Sequence, residues 1–236
     1  MDLSLVFPIY NEEDVIEDNV LKVYNYLKEN KIFFEIILSD DGSTDTSLVI
    51  IKKLCKKYPQ MSYVTEPQNK GKGYALTEGL RKTKGDILLC LDVDLDIDFR
   101  LIVPTLNIFK KENVDVVIGS KFLGSSEMKY PTLRFLLSST YSSLARTFLG
   151  MKILDFQVGF KAFKREVFKE IIKQVTFFGW TWDTDVLFVA DRLGYKIKEI
   201  PVRGELSYRS SSLNLFKDSF VMLGDLFRLS RKRVKK

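Results

Sequence analysis

Acidic residues follow directly on a short apolar run in the first half of the chain. Residues 87–91 are apolar, and Asp92 and Asp94 come immediately after them, with Asp96 two positions further on. A run of this length is typical of a buried strand in a parallel sheet. Ligands of open α/β sheets bind just outside the carboxyl ends of such strands. The spacing therefore places carboxylates where a ligand is expected.

Asp92 and Asp94 are candidate metal ligands. In an extended chain they point to the same side, and at about 6 Å two carboxylates repel by about 3 kcal/mol at an effective dielectric of about 20. A divalent cation removes this repulsion, and oxygen ligands suit Mg²⁺ or Mn²⁺. The alternative, a solvated acidic turn whose charges are screened, stays open on these residues alone.

The composition excludes several classes of catalytic and metal site. The chain has 236 residues and no histidine. Catalysis by Ser-His-Asp or Cys-His and the histidine metal sites of zincins are therefore excluded. Cys55 and Cys90 are far apart in sequence and have no CxxC spacing. They are interpreted as reduced packing residues of a cytosolic protein.

Positive charge is concentrated at the carboxyl end. Lys plus Arg number 37 and Asp plus Glu 31, a net charge of +6, and most of residues 228–236 are basic. Just before this tail, an apolar stripe at helical spacing is formed by Leu213, Phe216, Phe220, Leu223 and Phe227. Together they indicate a helix at a membrane interface, although a face packed on the core and a solvated tail are the alternatives.

Strand and helix patterns alternate through the first half. Strands are predicted at 3–7 (ended by Pro8), 35–39, 61–65, 87–91 and 114–119, and helices at 12–29, 44–58, 74–83, 104–112 and 133–149. This alternation predicts right-handed βαβ units and an α/β fold with a mostly parallel, Rossmann-like sheet flanked by helices. We expect one domain over 1–212 and an amphipathic helix with a basic tail over 213–236.

Two features bear on location. No apolar stretch approaches the ~20 residues that span a bilayer. The amino terminus begins with a strand pattern and shows no signal peptide. We therefore expect a peripheral protein on the cytoplasmic face of a membrane.

The loops that follow the strands at 3–7, 35–39 and 87–91 should converge on one crevice. They contain Pro8-Ile9-Tyr10-Asn11-Glu12-Glu13, Asp40-Asp41-Gly42-Ser43-Thr44-Asp45 and Asp92-Val93-Asp94. In such a crevice a carboxylate can accept from a base N–H or a ribose hydroxyl, and Tyr10 can stack on a base. A metal at the aspartate pair would hold a diphosphate.

Taken together, these segments resemble the family 2 glycosyltransferases, which have the GT-A fold. Further matching segments are 69–73, 119–121, 155–161 and 182–186. They resemble the branch that acts on polyprenyl phosphates, which includes dolichyl-phosphate mannose synthase and dolichyl-phosphate β-glucosyltransferase. The glycine loop at 69–73 is more similar to that of the glucosyltransferase.

The resemblance implies roles for individual positions. The nucleotide sugar would be bound by Pro8, Tyr10, Glu12, Ser39, Asp41 (at the base), Lys72, Asp92 and Val93. Mg²⁺ or Mn²⁺ would be held by Asp92, Asp94 and Asp96. The catalytic group would comprise Asp94, Asp183, Asp185, Lys121 and Arg134. The acceptor phosphate would meet Lys121, Arg134, Arg203 and Arg209.

Some positions depart from the family pattern. Lys121 stands where the family often has arginine, so the charge is kept but the bidentate fork is lost. The Ser-Lys-Leu motif of the family appears as Ser211-Ser212-Leu213, without its lysine. Asp183 is either a catalytic group or simply an acid at a helix amino terminus.

The function that the resemblance implies is a metal-dependent, inverting transfer of glucose or mannose from a UDP- or GDP-sugar to dolichyl or polyprenyl phosphate. A phosphate acceptor is already largely dianionic at neutral pH and needs little help from a base. The expected partners are the donor, the lipid acceptor and a membrane surface, without nucleic acid. A membrane-protein partner is left open.

Three other functions are alternatives to hexose transfer onto a lipid phosphate. A soluble glycan or protein hydroxyl could be the acceptor, with Asp183 as the base. A sugar-nucleotide-forming nucleotidyltransferase would have a glycine-rich loop where this chain has Pro8-Ile9-Tyr10-Asn11. A nucleic-acid binder is disfavoured by the acidic crevice, which repels phosphate.

Overall fold

In the computed structural model the chain forms a mixed seven-stranded sheet with flanking helices. The structure describes residues 1–129, 131–205 and 215–235, without the side chains of 215–219. The strands are β1 (Leu3–Ile9), β2 (Phe34–Asp40), β3 (Met61–Thr65), β4 (Ile87–Leu91), β5 (Val116–Ser120), β6 (Glu127–Lys129), β7 (Phe160–Lys164), β8 (Ile197–Pro201) and β9 (Arg203–Glu205). The helices are α1 (Ile16–Glu29), α2 (Ser47–Lys57), α3 (Lys72–Arg81), α4 (Ile102–Lys111), α5 (Thr132–Leu149), α6 (Arg165–Ile172), α7 (Trp182–Leu193) and α8 (Leu215–Ser230).

The sheet order confirms the predicted α/β class. Its strands run β3-β2-β1-β4-β7-β5-β8, and β7 alone is antiparallel to its neighbours in this sheet. The strands that precede the three candidate loops, β2, β1 and β4, are adjacent and parallel. The loops therefore leave the same edge of the sheet, as the alternation of strands and helices predicts. A separate parallel pair joins β6 to β9.

Two boundaries that were predicted from prolines are wrong. β1 does not end at Pro8 but continues to Ile9. It pairs with β4 only from Leu3 to Val6, so beyond Val6 one side of β1 is an edge, where proline is tolerated. α4 begins at Ile102 rather than Pro104. Pro104 lies in the first turn, where N–H groups lack intrahelical partners in any case.

α1 begins at Ile16, four residues later than predicted. Asn11 has a positive φ of 57°, which a helix does not allow. The backbone N–H groups of Glu12 and Glu13 are bonded to Ser47 Oγ and Asp45 Oδ2 of the neighbouring loop. The chain before α1 is thus used to join two loops at the rim of the sheet.

α8 packs on the rest of the chain through one face and exposes another. It contacts α5, and Met222, Leu226 and Leu229 are buried. Phe220, Leu223 and Phe227, the described members of the predicted stripe, are exposed. Leu213 lies outside the described residues and the side chain of Phe216 is not described. In the described part of the chain, no helix combines the length and hydropathy needed to cross a membrane.

Candidate active site at the rim of the sheet

The carboxylates Asp92 and Asp94 lie in a tight turn immediately after β4. Asp92 N donates to Gly159 O at 3.2 Å, and Leu95 N donates to Asp92 O at 3.2 Å. The side chain of Asp94 accepts from Asp96 N at 3.1 Å. Leu95 has a φ of 55°, the left-handed region that a leucine rarely adopts. Strain of this kind is retained where the surrounding structure enforces it, often at functional sites.

The turn is held on both sides. Val93 is buried and its carbonyl accepts from Asn19 Nδ2 of α1 at 2.9 Å. β9 lies across the later part of the turn, where Asp98 N donates to Arg203 O at 2.9 Å. A Cβ at Gly204 would lie 1.9 Å from Asp96 O, so only glycine allows this approach. The aspartates therefore project from a turn that is fixed by α1, by β9 and by the carbonyl of Gly159.

The ionised form of Asp94 is electrostatically unfavourable in the metal-free protein. Burial, followed by the charges of Asp92 and Asp96, raises the pKa of Asp94 to about 7. A cation placed among these oxygens would stabilise the ionised carboxylate. The donor set is purely oxygen, which fits Mg²⁺ or Mn²⁺.

The protein supplies only part of a metal shell. Within the described ranges, no group of three or more acidic or cysteine side chains is arranged to hold a metal by itself. Mg²⁺ is commonly bound by one or two carboxylates together with substrate phosphates and water. Asp92 and Asp94 fit a cation shared with a diphosphate, and Asp96 as a third ligand stays a prediction.

Lys72, at the start of α3, reaches this turn. Its Nζ lies 2.7 Å from a carboxylate oxygen of Asp92. Burial lowers the pKa of Lys72, but the charges of Asp92, Asp183 and Asp94 act in the opposite direction and keep it above its ordinary value. The ammonium is therefore a permanent positive charge beside the acidic turn.

The glycine loop before α3 is bound to Asp41. The carboxylate of Asp41 accepts from Lys70 N and Gly71 N, each at 2.8 Å. Asp41 is only 2% exposed, and burial raises its pKa although these two hydrogen bonds lower it. The side chain thus shapes the loop that carries Lys72. Its predicted contact with the base stays a prediction.

Of the other residues predicted to bind the nucleotide, some lie at the rim of the sheet and one lies in the protein interior. Pro8, Tyr10 and Glu12 are half-buried at the carboxyl end of β1. Ser39 is fully buried, and its hydroxyl donates to Ala75 O of α3 at 2.6 Å. Ser39 therefore packs β2 against α3 and presents no atom to solvent in this structure.

A pocket adjoins the acidic turn. It is lined by Leu91, Asp92, Asp94, Asp96, Ile97, Lys121, Met128, Gln157, Val158, Gly159 and Val202. A Cβ at Gly159 would lie 2.1 Å from Asp92 Oδ2, so the carboxylate occupies space that any other residue would fill. Gln157 Nε2 donates to Thr184 Oγ1 of α7 at 3.0 Å. The sequence analysis matched the segment 155–161 to the family but assigned no role to Gln157 or Gly159. The contacts of Gly159 with Asp92 and of Gln157 with Thr184 join residues far apart in sequence, so only the fold reveals them.

Lys121 lines this pocket as part of a buried ion pair. Its Nζ lies 2.7 Å from Asp155, and its backbone N–H donates to the same carboxylate at 3.0 Å. Asp155 is itself fully buried and its N–H donates to Glu199 at 3.1 Å. The charge of Lys121 is thus largely compensated by Asp155, and its contact with a phosphate stays a prediction.

The acids of α7 have different surroundings. Asp183 accepts from Lys161 Nζ at 2.7 Å, and both side chains are buried. Asp185 is fully buried, faces the loop before α7 and accepts from Thr176 N at 2.6 Å and Lys232 Nζ at 2.6 Å. Their spacing in sequence gave no sign that Asp185 joins a loop to the carboxyl-terminal tail.

Comparison with known proteins places the fold and the acidic turn in one family. Residues 4–172 match the model of Glycosyl transferase family 2. The chain belongs to this family. The predicted resemblance is confirmed, and the acidic turn after β4 lies within the matched region.

Relatives of this family 2 chain include proteins named dolichyl-phosphate beta-glucosyltransferase. It is 34% identical over 211 residues to dolichyl-phosphate beta-glucosyltransferase ALG5A of Trichomonas vaginalis, covering 85% of this chain and 64% of the relative. It is 30% identical over 243 residues to dolichyl-phosphate beta-glucosyltransferase of Saccharomyces cerevisiae, covering 95% and 72%. It is 31% identical over 207 residues to glycosyltransferase AglD of Haloferax volcanii, covering 87% of this chain but 33% of that protein. The chain thus spans less than two thirds of the AglD and ALG5A proteins.

A solved structure confirms the GT-A-like fold of this family 2 chain. Glucosyl-3-phosphoglycerate synthase from Mycobacterium tuberculosis, in complex with UDP, has a TM-score of 0.73 at 23% identity, covering 100% of this chain and 81% of that one. The same enzyme has also been solved with Mn²⁺, UDP-glucose and glycerol 3-phosphate.

The predicted acceptor cations of this glycosyltransferase domain are not gathered in one place. Arg134 is half-buried on α5, and Arg203 is exposed on β9, 3.3 Å from Glu127. Arg209 lies outside the described residues. Of the described members of this set, Lys121 lines the pocket. Their joint action on an acceptor phosphate stays a prediction.

Proposed function

We propose that this domain transfers a hexose from a nucleotide sugar to the phosphate of a polyprenyl lipid, with a divalent cation at the acidic turn. The observation that carries the proposal is the pairing of Asp92 and Asp94 at the rim of the sheet, with the pKa of Asp94 raised to about 7 by burial and by its acidic neighbours. Such a cluster binds a cation more readily than it binds an anion alone. A nucleotide diphosphate is the anion that a cation at this edge would recruit.

Asp92 and Asp94 would hold Mg²⁺ or Mn²⁺, with Asp96 as a further donor. When bound, the cation neutralises the charge that develops on the departing diphosphate. Lys72, 2.7 Å from Asp92, supplies a second positive charge at the same place. The Mn²⁺ in the solved structure of the fold neighbour supports a cation of this kind.

Glucose is the proposed sugar and UDP the proposed carrier. The Trichomonas and yeast relatives are named dolichyl-phosphate beta-glucosyltransferases, and the fold neighbour was solved with UDP-glucose. In this chain the base and ribose would lie along the loops after β1 and β2, beside Tyr10, Glu12 and Asp41. Direct displacement by the acceptor inverts the anomeric carbon, so an α-linked donor gives a β-linked product.

The surroundings of Asp183 favour a phosphate acceptor over a hydroxyl. A hydroxyl acceptor needs a base, and Asp183 was the candidate. Its Oδ1 lies 2.7 Å from the buried ammonium of Lys161, so this oxygen is occupied by an ion pair and is poorly placed to take a proton from a hydroxyl. A phosphate acceptor with a second pKa of about 6 is already largely ionised at neutral pH, so it needs no base. The names of the curated relatives support the same choice.

A membrane surface is the proposed location of the acceptor. α5 exposes Leu133 and Leu136, and α8 exposes Phe220 and Phe227. Exposed cations follow on α8 and the tail, namely Arg228, Arg231, Arg233 and Lys235. Apolar side chains beside cations are typical of proteins that bind anionic membrane surfaces.

The proposal is tested with radiolabelled UDP-glucose, Mn²⁺ and polyprenyl phosphate in detergent, followed by extraction into organic solvent. We expect organic-soluble label with the wild-type chain, none with Asp94→Asn, and undiminished label with Asp86→Asn. Asp86 is exposed at the opposite end of β4 and is a matched loss of charge. Label that appears only on a water-soluble acceptor would contradict the lipid acceptor, and activity that survives Asp94→Asn would contradict the metal role.

A further inference from the structure

The first turn of α7 is attached to the carboxyl-terminal helix. Thr181, the residue before α7, makes no side-chain cap of its own helix. Its hydroxyl instead donates to Asp225 Oδ2 of α8 at 2.8 Å, and both residues are buried. A buried hydrogen bond to a carboxylate fixes the distance between the two helices at this point.

A second attachment comes from the tail after α8. Lys232 Nζ lies 2.6 Å from Asp185 Oδ1, while Asp185 Oδ2 accepts from Thr176 N at 2.6 Å and Phe177 N at 3.1 Å. Asp185 is fully buried. An ionised carboxylate at such a position needs this full set of partners. The tail is therefore tied to α7 at this residue.

The backbone continues the attachment beyond Lys232. Lys235 N donates to Gln174 Oε1 at 2.8 Å, and Gln174 Nε2 donates to Lys235 O at 2.9 Å. The described part of the tail is thus attached to α7 at Lys232 and to the loop between α6 and α7 at Lys235. Its basic composition alone indicated a solvated end or a site for anions.

The same turn of α7 is connected to the acidic turn. Trp182 Nε1 donates to Thr77 Oγ1 of α3 at 3.0 Å, and a Cβ at Gly73 would lie 2.3 Å from Trp182 Cβ. α3 begins at Lys72, which contacts Asp92. Asp183, next to Trp182, is paired with Lys161 of β7. A shift of the first turn of α7 would therefore displace Lys72, which contacts Asp92 of the pocket.

We propose that Asp225 and Lys232 are positioning residues of the candidate active site. The inference rests on the proposed transferase function and assigns to α8 and the tail a part in it. They hold the first turn of α7, and through Trp182 and Gly73 they fix where Lys72 meets the acidic turn. Met222, Leu226 and Leu229 already pack α8 on the domain. Apolar packing therefore holds α8 on the domain, and the two polar attachments fix its position relative to the first turn of α7.

The chain carries its own reporter for this coupling. Its two tryptophans are Trp182, the first residue of α7, and Trp180, two positions before it. Acrylamide quenching of their fluorescence reports how firmly this turn is held. We expect clearly stronger quenching in Lys232→Met than in the wild type, little change in Lys232→Arg, and none in Arg233→Met, which removes an exposed cation of the same tail. This measurement needs no substrate.

The kinetic test uses the same variants below their unfolding temperature. In Lys232→Met we expect kcat for hexose transfer to fall about tenfold or more, because small displacements of aligned groups slow reactions steeply. KM for UDP-glucose should rise as well, because Lys72, which is proposed to meet the diphosphate, is positioned through the same turn of α7. Lys232→Arg should recover most of kcat.

A second pair of variants covers the case in which Lys232→Met does not fold. Asp225→Ala removes the acceptor for Thr181, whereas Asp225→Asn keeps an acceptor oxygen. We expect stronger quenching and reduced kcat in the first and near-normal values in the second. Unchanged quenching, or changed quenching with unchanged kcat, in the folded variants would overturn the positioning role. A wild-type chain without transferase activity would instead overturn the proposed function, and the quenching result would still decide whether α8 holds α7.

Discussion

Lys72 Nζ lies 2.7 Å from the carboxylate of Asp92, so the cation of the glycine loop occupies one of the oxygens proposed to bind metal. The contact joins two segments that are separated in sequence by a helix and a strand. It also implies an exchange. If a cation and a diphosphate were bound, Asp92 would be available to hold the cation and Lys72 to hold a phosphate oxygen.

The exchange predicts opposite effects of Lys72→Met on two ligands. Removing the ammonium leaves the carboxylates less compensated, so Mn²⁺ alone should bind more tightly. UDP-glucose with Mn²⁺ should bind about tenfold more weakly, because a hydrogen bond to a charged group contributes about 1.5–3 kcal/mol. Titration calorimetry measures both affinities. A parallel loss of both would show that Lys72 supports the turn rather than the phosphates.

The raised pKa of Asp94 predicts a pH dependence of metal binding. Its pKa is about 7 in the metal-free protein because of burial and its acidic neighbours. Metal must displace the proton, so Mn²⁺ affinity should rise about tenfold between about pH 6 and about pH 8 and then level off. Without metal, the folded chain holds this proton more tightly than the unfolded chain does. The free energy of unfolding should therefore fall as pH rises from about 4 to about 7.

Both parts of this prediction have the same control. Asp94→Asn cannot titrate, so its stability should lose this slope. Urea unfolding at a series of pH values, with and without Mn²⁺, makes the comparison. A Mn²⁺ affinity independent of pH in the wild type would contradict the assignment.

Asp183→Asn distinguishes a structural acid from a catalytic base. The substitution leaves the buried ammonium of Lys161 without its counter-ion, which costs about 3 kcal/mol or more. We expect a large loss of stability in urea, and a kcat for a phosphate acceptor within about tenfold of the wild type. Loss of a general base would lower kcat by about 100-fold or more at unchanged stability. Asp191→Asn, a half-buried acid of the same helix whose ion pair with the exposed Arg192 is long at 3.7 Å, should change neither.

Glutamate at the exposed positions of α8 should weaken membrane binding. Phe220 is 73% exposed, and Phe227 is also exposed on the helix. The double variant Phe220→Glu, Phe227→Glu should sediment much less with vesicles that contain anionic lipid, because it removes apolar contact and adds repulsion. Val49→Glu is the matched control, since Val49 is 68% exposed on α2. Equal sedimentation of all three proteins would leave the exposed stripe without a membrane role.

The sequence was sufficient for the α/β class, for the parallel strands of the first half and for the acidic turn, but not for the elements between 150 and 205. Alternating apolar runs and helical periodicities predicted adjacent parallel strands, and the motif Asp92-Val93-Asp94 could be placed at their edge because a parallel sheet brings such ends together. Pro8 was misleading, because proline ends a strand only where its N–H is needed for pairing. Whether a backbone N–H is needed at position 8 depends on where the neighbouring strand β4 ends. The residues around Pro8 carry no information about the end of β4.

The partners of charged residues could not be predicted. Asp183 and Asp185 are two positions apart, yet one is bound to Lys161 on β7 and the other to Lys232 in the tail. Lys121 is paired with Asp155, a residue distant in sequence. These pairings depend on side-chain directions across separate elements, and no local pattern encodes them. The role of Gly159 is hidden for the same reason.

The central claim is that the aspartates after β4 bind a divalent cation together with the diphosphate of the donor. Titration calorimetry of UDP-glucose, with Mn²⁺ present and with Mn²⁺ removed by chelator, tests it most directly in wild type, Asp94→Asn and Asp86→Asn. The account predicts that Mn²⁺ strengthens binding in the wild type and in Asp86→Asn but not in Asp94→Asn. Equal affinity for UDP-glucose with and without Mn²⁺ in the wild-type chain would contradict it.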